Sequence, residues 1–550
     1  MSNKKPTFRE RALYLVSPKR GSEAYRKRRE QDQAHEQEVG RSSAAAPRMS
    51  YGSHGASQTL NSMIGWVVDA GNAEDNIDLY SSTLRQRARD LYAGGGLGRS
   101  GPQTLTTSVV GWGIQPKPKI DGDYLKMTDE AREEAERNIL REFRLWAENT
   151  MCDAARQQNF YGLQELAFRS MLMSGDVFAL FGMEKNKRTP YQTTIRLLEA
   201  DRICTPDSSG ESESTETAGG GRIIDGVEIN KAGAVTRYHI ASRSPIAGND
   251  NSELTWQAID AYGKDTGYPN ILQIMTHERP EQRRGIPFVA SEIEQIKQFS
   301  RYMNAELAAN VVSAMLTAFI VSDDEDGKPG MEDAVNEDEK VTDDSLSLEL
   351  APGAVYELPP GKKVETVNPL RSNSQFEAFV NTSIMVMASS MGIPKEVLVK
   401  KYESNYTAAR AALLDFWRTV RVYRTKFNNM FNQPVYEQWL AEAVAVGRIE
   451  APGFFDDPAV RAAWCGCSWM GASMGHVDPL KEVNAAAGRI ANNITTQEQE
   501  ASEYNGNDWA ANIRQRHREI TALADLQDTI NTAGGPLDDD NDDNDEEDEE

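Results

Sequence analysis

SEIEQIKQFSRYMNAELAANVVSAMLTAFI, residues 291–320, is the stretch on which the fold turns. Ser291 and Glu294 stand in capping-box spacing just after the helix-hostile Gly285, Ile286 and Pro287. Ile293, Ile296, Phe299, Met303, Leu307, Val311, Met315 and Phe319 then recur every three or four residues. That spacing predicts an amphipathic helix over 291–320, roughly 45 Å long at 1.5 Å per residue. A second segment, SQFEAFVNTSIMVMASSM at 374–391, repeats the signature. Ser374 and Glu377 are spaced as a capping box, and Gly392 and Pro394 stop the helix. A third begins at Thr407 and carries Leu413, Trp417, Val420, Phe427 and Phe431. Pro434 is expected to kink or break it before it resumes over 436–446 and ends at Gly447. Long helices joined by an acidic insertion and a short polar break describe a wall rather than a pocket.

Outward from this stretch the periodicity changes. Residues 81–92 read as a basic helix, 129–150 as a charged amphipathic helix and 162–174 as a further helix. After Gly175, short runs rich in β-branched and aromatic residues at 177–181, 194–198, 223–224, 227–229, 235–240 and 254–259 predict strands. Asp225-Gly226 separates two of them as a two-residue hairpin turn. Residues 207–221, dominated by Ser, Glu, Thr and Gly, read as a mobile loop. From 321 to about 368 an acidic loop precedes one or two short strands, and beyond Gly447 a Trp-rich turn region leads into two smaller helices. One opens at Asp478-Pro479, the other after Thr495 and Thr496.

The 550 residues suffice for about two to four domains with real cores. The formal charge of -24 is unevenly spread: residues 1–30 are basic, and 538–550 are almost all Asp and Glu. Both ends read as solvated tails. An acidic body argues against sequence-reading of DNA, whose affinity comes largely from Lys and Arg on phosphates, but not against a duplex sliding past. The longest apolar run, 311–321, is too short for a membrane span, so no membrane association is expected. The N-terminus does not fit a cleaved secretory signal, and four cysteines without framework spacing fit a reducing compartment.

Catalytic signatures arise and fail. Gly96-Leu97-Gly98-Arg99-Ser100-Gly101 matches GxGxxG, but a basic helix rather than a strand precedes it, so it reads as a flexible linker. The chain has no GxxxxGK[ST] and so lacks the phosphate cradle of an ATP-driven motor. Residues 322–333 imitate a calcium loop with Asp324, Asp326 and Gly327, yet Ser322 and Asp333 stand where ligands of another type are needed and Pro329 interrupts. Cys465 and Cys467 lack a second pair at zinc spacing and read as small buried thiols beside Trp464 and Trp469. The six histidines are scattered, and His277 beside Glu278 has no positioned partner. No catalytic residue, metal or cofactor is expected.

Several separated stretches resemble tailed-phage portal proteins of the lambda type. They are Tyr51-Gly52-Ser53-His54-Gly55-Ala56, the Arg-x-Arg-x-Arg-Asp core of 84–91, Val109-Val110-Gly111-Trp112-Gly113 and Arg283-Arg284-Gly285-Ile286-Pro287. The series continues with Met391-Gly392-Ile393-Pro394, Asn405-Tyr406-Thr407-Ala408-Ala409-Arg410, residues 434–440 and Val477-Asp478-Pro479-Leu480-Lys481-Glu482. Their order and spacing over about 50–525 carry the likeness. The chain departs from the pattern after Asp90-Leu91, where Tyr92-Ala93-Gly94-Gly95-Gly96 replaces a polar turn.

The resemblance implies an α+β, mainly helical portal fold: a basic arm at 1–50, an α/β wing at 51–290 and a first stem helix at 291–320. A clip at 321–370, a second stem helix at 371–393, a tunnel loop at 394–406 and a long kinked helix at 407–447 come next. A crown at 448–530 and an acidic tail at 531–550 complete it. It further implies a homo-oligomeric ring, usually of about twelve copies, at one capsid vertex of the virion, assembled in the host cytoplasm. Double-stranded DNA would pass through without sequence specificity, driven by a separate terminase ATPase. The implied DNA-facing residues are Lys400, Lys401, Tyr402, Glu403, Ser404 and Asn405; those implied to dock terminase and head-tail joining proteins are Asp323, Asp324, Glu325 and Asp326. Major capsid and scaffolding proteins are the remaining implied partners.

Other classes stay open from the residues alone. A metal-dependent nuclease with a helical arm would need convergent carboxylates, a scaffolding subunit would lack the strand-rich block at 177–274, and an ordinary monomeric bundle would not need the acidic insertion.

Overall fold

The computed structural model describes residues 17–28, 30, 61–62, 71–206, 214–217, 220–246, 253–314, 318–322, 362–366, 375–402, 406–475, 479–506 and 509–533. The chain divides into two units, Met1–Gly71 and Asn72–Glu550. The first contributes a helix at 18–28. The second is mainly helical with smaller sheets.

The core of the second unit is helical. Helices α1 (Ser81–Ala93), α2 (Gly96–Val109), α3 (Asp129–Ala147) and α4 (Phe160–Ser174) gather around a long bent helix. Thr128 and Asn159 cap α3 and α4 with side-chain oxygens, as their small polar character dictates. The bent helix consists of α8 (Tyr406–Phe427), a π-helical turn (Asn428–Asn432) and α9 (Gln433–Ala445). Pro434 has no N–H to give the preceding turn, and widening that turn absorbs the defect without ending the helix. The kink expected there is thus a π-bulge. Phe427, Phe431, Tyr436 and Trp439, all fully buried, meet Phe143, Trp146 and Phe160 in one aromatic cluster.

Two antiparallel sheets adjoin this core. In the first, β2 (Asp176–Met183) lies between β3 (Thr193–Glu199) and β9 (Ile271–Met275). The second is a meander of β4 (Ser214–Glu216), β5 (Arg222–Ile224), β6 (Val227–Ile229), β7 (Val235–Ala241) and β8 (Trp256–Asp260). Asp225 and Gly226 both take positive φ, the backbone of a type I′ hairpin turn. β1 (Gln115–Pro118) pairs with β12 (Cys467–Met470), a strand pair unexpected from a run containing two prolines. A two-stranded ribbon tolerates them because neither strand is flanked on both sides.

The wall helices are shorter than the sequence suggests. α5 covers Ile293–Ala314, entered through a 3₁₀ turn at Ala290–Glu292. Ala318–Ser322, with Phe319, Ile320 and Val321 in a row, instead forms β10, antiparallel to β11 (Lys362–Thr366). β-propensity there overrides continued helical spacing. α6 covers Phe376–Ser390, with Gln375 at its N-cap making no side-chain capping bond. Ser374, expected to cap it, lies outside the described residues, as do the acidic cluster at 323–326 and the calcium-loop imitation beyond Ser322. Tyr302 joins the two helices, its ring 4.8 Å from Phe379 and 6.0 Å from Phe376. Beyond the short helix α10 (Pro458–Trp464), α11 (Pro479–Ala491) and α12 (Gln497–Asn505) match the two expected helices, but a third and longer one, α13 (Trp509–Ala533), comes after them.

Candidate functional site

The segment after α6 holds the candidate DNA-facing residues. Gly392, at φ 64°, turns the chain, and the Ile393 amide closes the turn on the Ala388 carbonyl. Residues 395–399 then form the short helix α7 (Lys395–Val399), where a loop was expected over 394–406. Lys400 ends it in the left-handed region at φ 57°, its amide and that of Lys401 both donating to the Glu396 carbonyl. Lys400, Lys401 and Tyr402 are exposed together. Glu403, Ser404 and Asn405, like Asp323, Asp324, Glu325 and Asp326, lie outside the described residues.

What holds this segment is the glycine-rich start of α2. Gly96 to Gly101 are the first turns of a helix and not a flexible linker, because small residues are needed at two contacts. A Cβ on Gly98 would meet the Leu91 carbonyl oxygen at 2.7 Å, and one on Gly101 would meet the Met391 sulfur at 3.1 Å. The Ser100 hydroxyl donates to the Leu398 carbonyl at 2.7 Å, tying α7 to α2. Gly95 and Gly96, both at positive φ, form the turn into α2, and the Arg99 guanidinium lies 5.4 Å from the Tyr92 ring. The atypical Tyr92-to-Gly96 run is thereby an open turn in which Gly95 and Gly96 supply the positive φ that leads into α2.

α2 in turn rests on α1, which enters a buried ion cluster. Arg284, with no exposed surface, donates from Nε to Asp176 Oδ2 at 2.6 Å and pairs through Nη1 with Asp225 Oδ2 at 2.7 Å. Its remaining N–H groups reach the carbonyls of Ala200, Ile203 and Asp225, each at 2.8 Å. Arg85 of α1 donates to Asp201 at 2.8 Å, and Arg89 pairs with the other oxygen of the same carboxylate. Burial would push Asp176 up, but Arg284 and Arg85 outweigh it and hold its carboxyl below the usual range. Asp201 follows the same pattern with Arg85 and Arg89. Asp78 goes the other way: burial lifts it to about 6 although the Arg284 amide donates to it. The cluster welds α1, β2, the Asp225-Gly226 turn and the 283–285 segment together. Gly175 and Gly285 allow the backbones to touch, since a Cβ on Gly285 would sit 2.0 Å from the Gly175 carbonyl oxygen.

A second weld joins the bent helix to the sheet. Glu442 of α9 accepts the amides of Gln192 and Thr193, and Glu142 of α3 takes both Arg448 nitrogens at 2.6 and 2.9 Å and the Tyr191 hydroxyl at 2.8 Å. In the sequence Arg85, Arg89 and Arg284 stand out only as motif letters; of their acids, Asp225 stands out only as a turn residue, and Asp176 and Asp201 do not stand out at all. Asp176, Asp201 and Asp225 are about a hundred residues or more from their arginines in most of these pairs, so no local spacing betrays them.

Among the described residues no group of three or more His, Cys, Asp and Glu could hold a metal ion. Burial pushes the thiols of Cys152 and Cys465 up to about 12, far from thiolate. His277 is lowered by burial and by Arg283. No helix among the described residues is long and apolar enough to cross a membrane.

Comparison with known proteins gives this scaffold a context. Residues 59–424 match the family described as phage portal protein, lambda family. Portal protein B of Escherichia phage lambda is 23% identical over 452 residues, covering 79% of this chain and 82% of its own. The portal protein of Escherichia phage N15 is 22% identical over 474 residues, with 83% and 87% covered. Among solved structures, a chain from the neck of a native gene transfer agent particle is 12% identical, covers 76% of this chain and 92% of its own, and aligns with a TM-score of 0.41. The family match spans well over half of the sequence, and the chain belongs to the lambda family of phage portal proteins.

Proposed function

We propose that copies of this chain close into a ring at one capsid vertex of the virion, and that double-stranded DNA is packaged and later ejected through its axis. One observation carries the reading: among the described residues, α5 and α6 leave a row of large apolar side chains open. No residue between Lys297 and Val311 is buried, and none between Phe376 and Val386. Leu307 is 64% exposed, Phe379 51% and Met385 55%, with Val311 and Val386 similarly bare. Fully covering one such side chain is worth about 1.5–3 kcal/mol, so a neighbouring copy laid against each face supplies a strong drive to associate. A head-to-tail contact that closes makes a ring.

In this reading α5 and α6 are the stem, β10 and β11 belong to the clip, and α8 with α9 run from the channel into the wing. Residues 394–406 then face the duplex, with Lys400, Lys401, Tyr402, Glu403, Ser404 and Asn405 at the narrowest point. Asp323, Asp324, Glu325 and Asp326 meet the terminase and afterwards a head-tail joining protein, while capsid and scaffolding proteins surround the ring. DNA carries about one charge per 1.7 Å of axis, so a channel lined elsewhere by acidic groups would hold it weakly and let it slide, with Lys400 and Lys401 as the local contacts. Negative-stain imaging of purified protein tests the proposal: rings with a central hole support it, and compact single-chain particles refute it. Deleting residues 400–405 tests the loop, whose role is lost if packaging and DNA retention are unchanged.

A further inference from the structure

The C-terminal helices are attached to the rest of the second unit in an unusual way. No described residue between 479 and 529 is buried, whereas the core upstream ends at Cys465 with many fully buried side chains. Leu480, Val483 and Ile494 stay exposed, as do Ile513, Ile520, Leu523 and Leu526 of α13. Charge links α11 and α12 to α8 and β1. Glu482 of α11 receives Arg410 of α8 at 2.7 Å. All three glutamates of α12 are engaged by cations from three different elements: Glu498 by Lys117 of β1, Glu500 by both Nε and Nη2 of Arg489 of α11, and Glu503 by Arg421 of α8 at 3.8 Å. The side-chain bonds from Arg489 hold the Glu500 carboxyl below the usual range. The receiving helix as a whole is basic: α8 carries Arg410, Arg418, Arg421, Arg424 and Lys426 against Asp415 alone, in a chain of net charge -24, and Arg410 and Arg421 are the two that meet the C-terminal helices.

From this we infer that residues 479–533 form a module latched to α8 and β1 by ion pairs, able to lift off and re-dock as ionic conditions change while the core stays intact. Arg410 lies five residues beyond Asn405, so the latch grips the same helix that begins at the proposed channel loop. Exposed ion pairs are screened over about 8–10 Å at moderate salt, while buried apolar contacts are not. Ionic strength therefore acts selectively on this module. A high local concentration of mobile counterions, as accompanies any dense polyanion, has the same effect.

Hydrogen exchange on the full-length protein at fixed concentration tests the latch. Between about 50 mM and 500 mM NaCl, the amides of α11 and α12 are expected to lose about tenfold in protection while those of α3 and α9 change less than about twofold. At low salt, Glu482→Gln combined with Glu498→Gln and Glu503→Gln should reproduce the high-salt pattern. The charge swap Arg410→Glu with Glu482→Arg should restore protection relative to Arg410→Glu alone. Salt-independent protection of α11 and α12, whether from neighbouring copies or from their own fold, overturns the inference. So does loss of α3 and α9 protection in step with theirs.

Discussion

Replacing Arg284 by Met removes the charge at the centre of the cluster and keeps roughly the same volume. The substitution leaves Asp176 fully buried without its bidentate partner and strips a cation from Asp225. It also leaves the carbonyls of Ala200, Ile203 and Asp225 without their guanidinium donors. Breaking a buried pair from one side costs about 3–5 kcal/mol. Arg85 still acts on Asp176 and the Gly285 amide still donates to it, which favours the lower end, about 3 kcal/mol. A chain of this size need not unfold in one step, so a local readout is appropriate: exchange of the β2 and β9 amides under conditions where opening is an equilibrium. About 3 kcal/mol corresponds to a rise of about a hundredfold in exchange. Arg284→Lys should fall between, since an ammonium cannot reach two carboxylates and three carbonyls in a fixed plane. Adding Asp176→Asn to Arg284→Met should recover part of the loss by removing the stranded charge. A change of less than about threefold for Arg284→Met would show that the cluster does not hold the sheet to the helices.

Asp78 supplies a pH test: its folded pKa of about 6 lies above the ordinary 3.8, so its neutral form stabilises the fold fully below about 4 and that contribution is lost as pH rises through 6. Asp78→Asn should flatten the stability profile over that window by about 2 kcal/mol, measured as the change in midpoint between pH 4 and pH 7; an unchanged profile contradicts it. Gly101→Leu forces a branched chain against the Met391 sulfur and Phe288 and should cost about 1–3 kcal/mol, read as faster exchange in α2 and α7, whereas an unaffected α7 would mean that it is not seated on α2. Lys400→Gly relieves a left-handed non-glycine residue and should protect the α7 C-terminus by about 1 kcal/mol, while Lys400→Val should do the reverse. Met385→Asp with Leu307→Asp, both at exposed positions, should leave the circular-dichroism spectrum and thermal midpoint of the single chain unchanged while abolishing assembly; intact assembly would remove α5 and α6 from the contact.

Elements written in local chemistry were legible in the sequence. The Asp225-Gly226 hairpin, the Gly392 stop and the bend at Pro434 each depend on backbone preferences of one or two residues, and each stands where those residues place it. What misled was local pattern overridden by contact. Gly96 to Gly101 looked like a linker, yet their small size is what lets α2 pack on Leu91 and Met391. Phe319 to Val321 continued a helical stripe but pair with residues about forty positions later. The Arg284 cluster was invisible for the same reason, since its carboxylates come from Asp176 and Asp225 and no window contains them together. The family resemblance was legible because its motifs mark such junctions: Arg85, Arg284 and Met391 all stand at contacts between elements distant in sequence. Belonging to the lambda portal family makes the chain a structural protein rather than an enzyme.

Whether other copies cover the bare faces of α5 and α6 decides between a ring wall and a solitary chain. Sedimentation velocity of the purified full-length chain at micromolar concentration measures this in one experiment. A closed species of many times 61.1 kDa is the expected result. A folded, stable species of single-chain mass would contradict the ring.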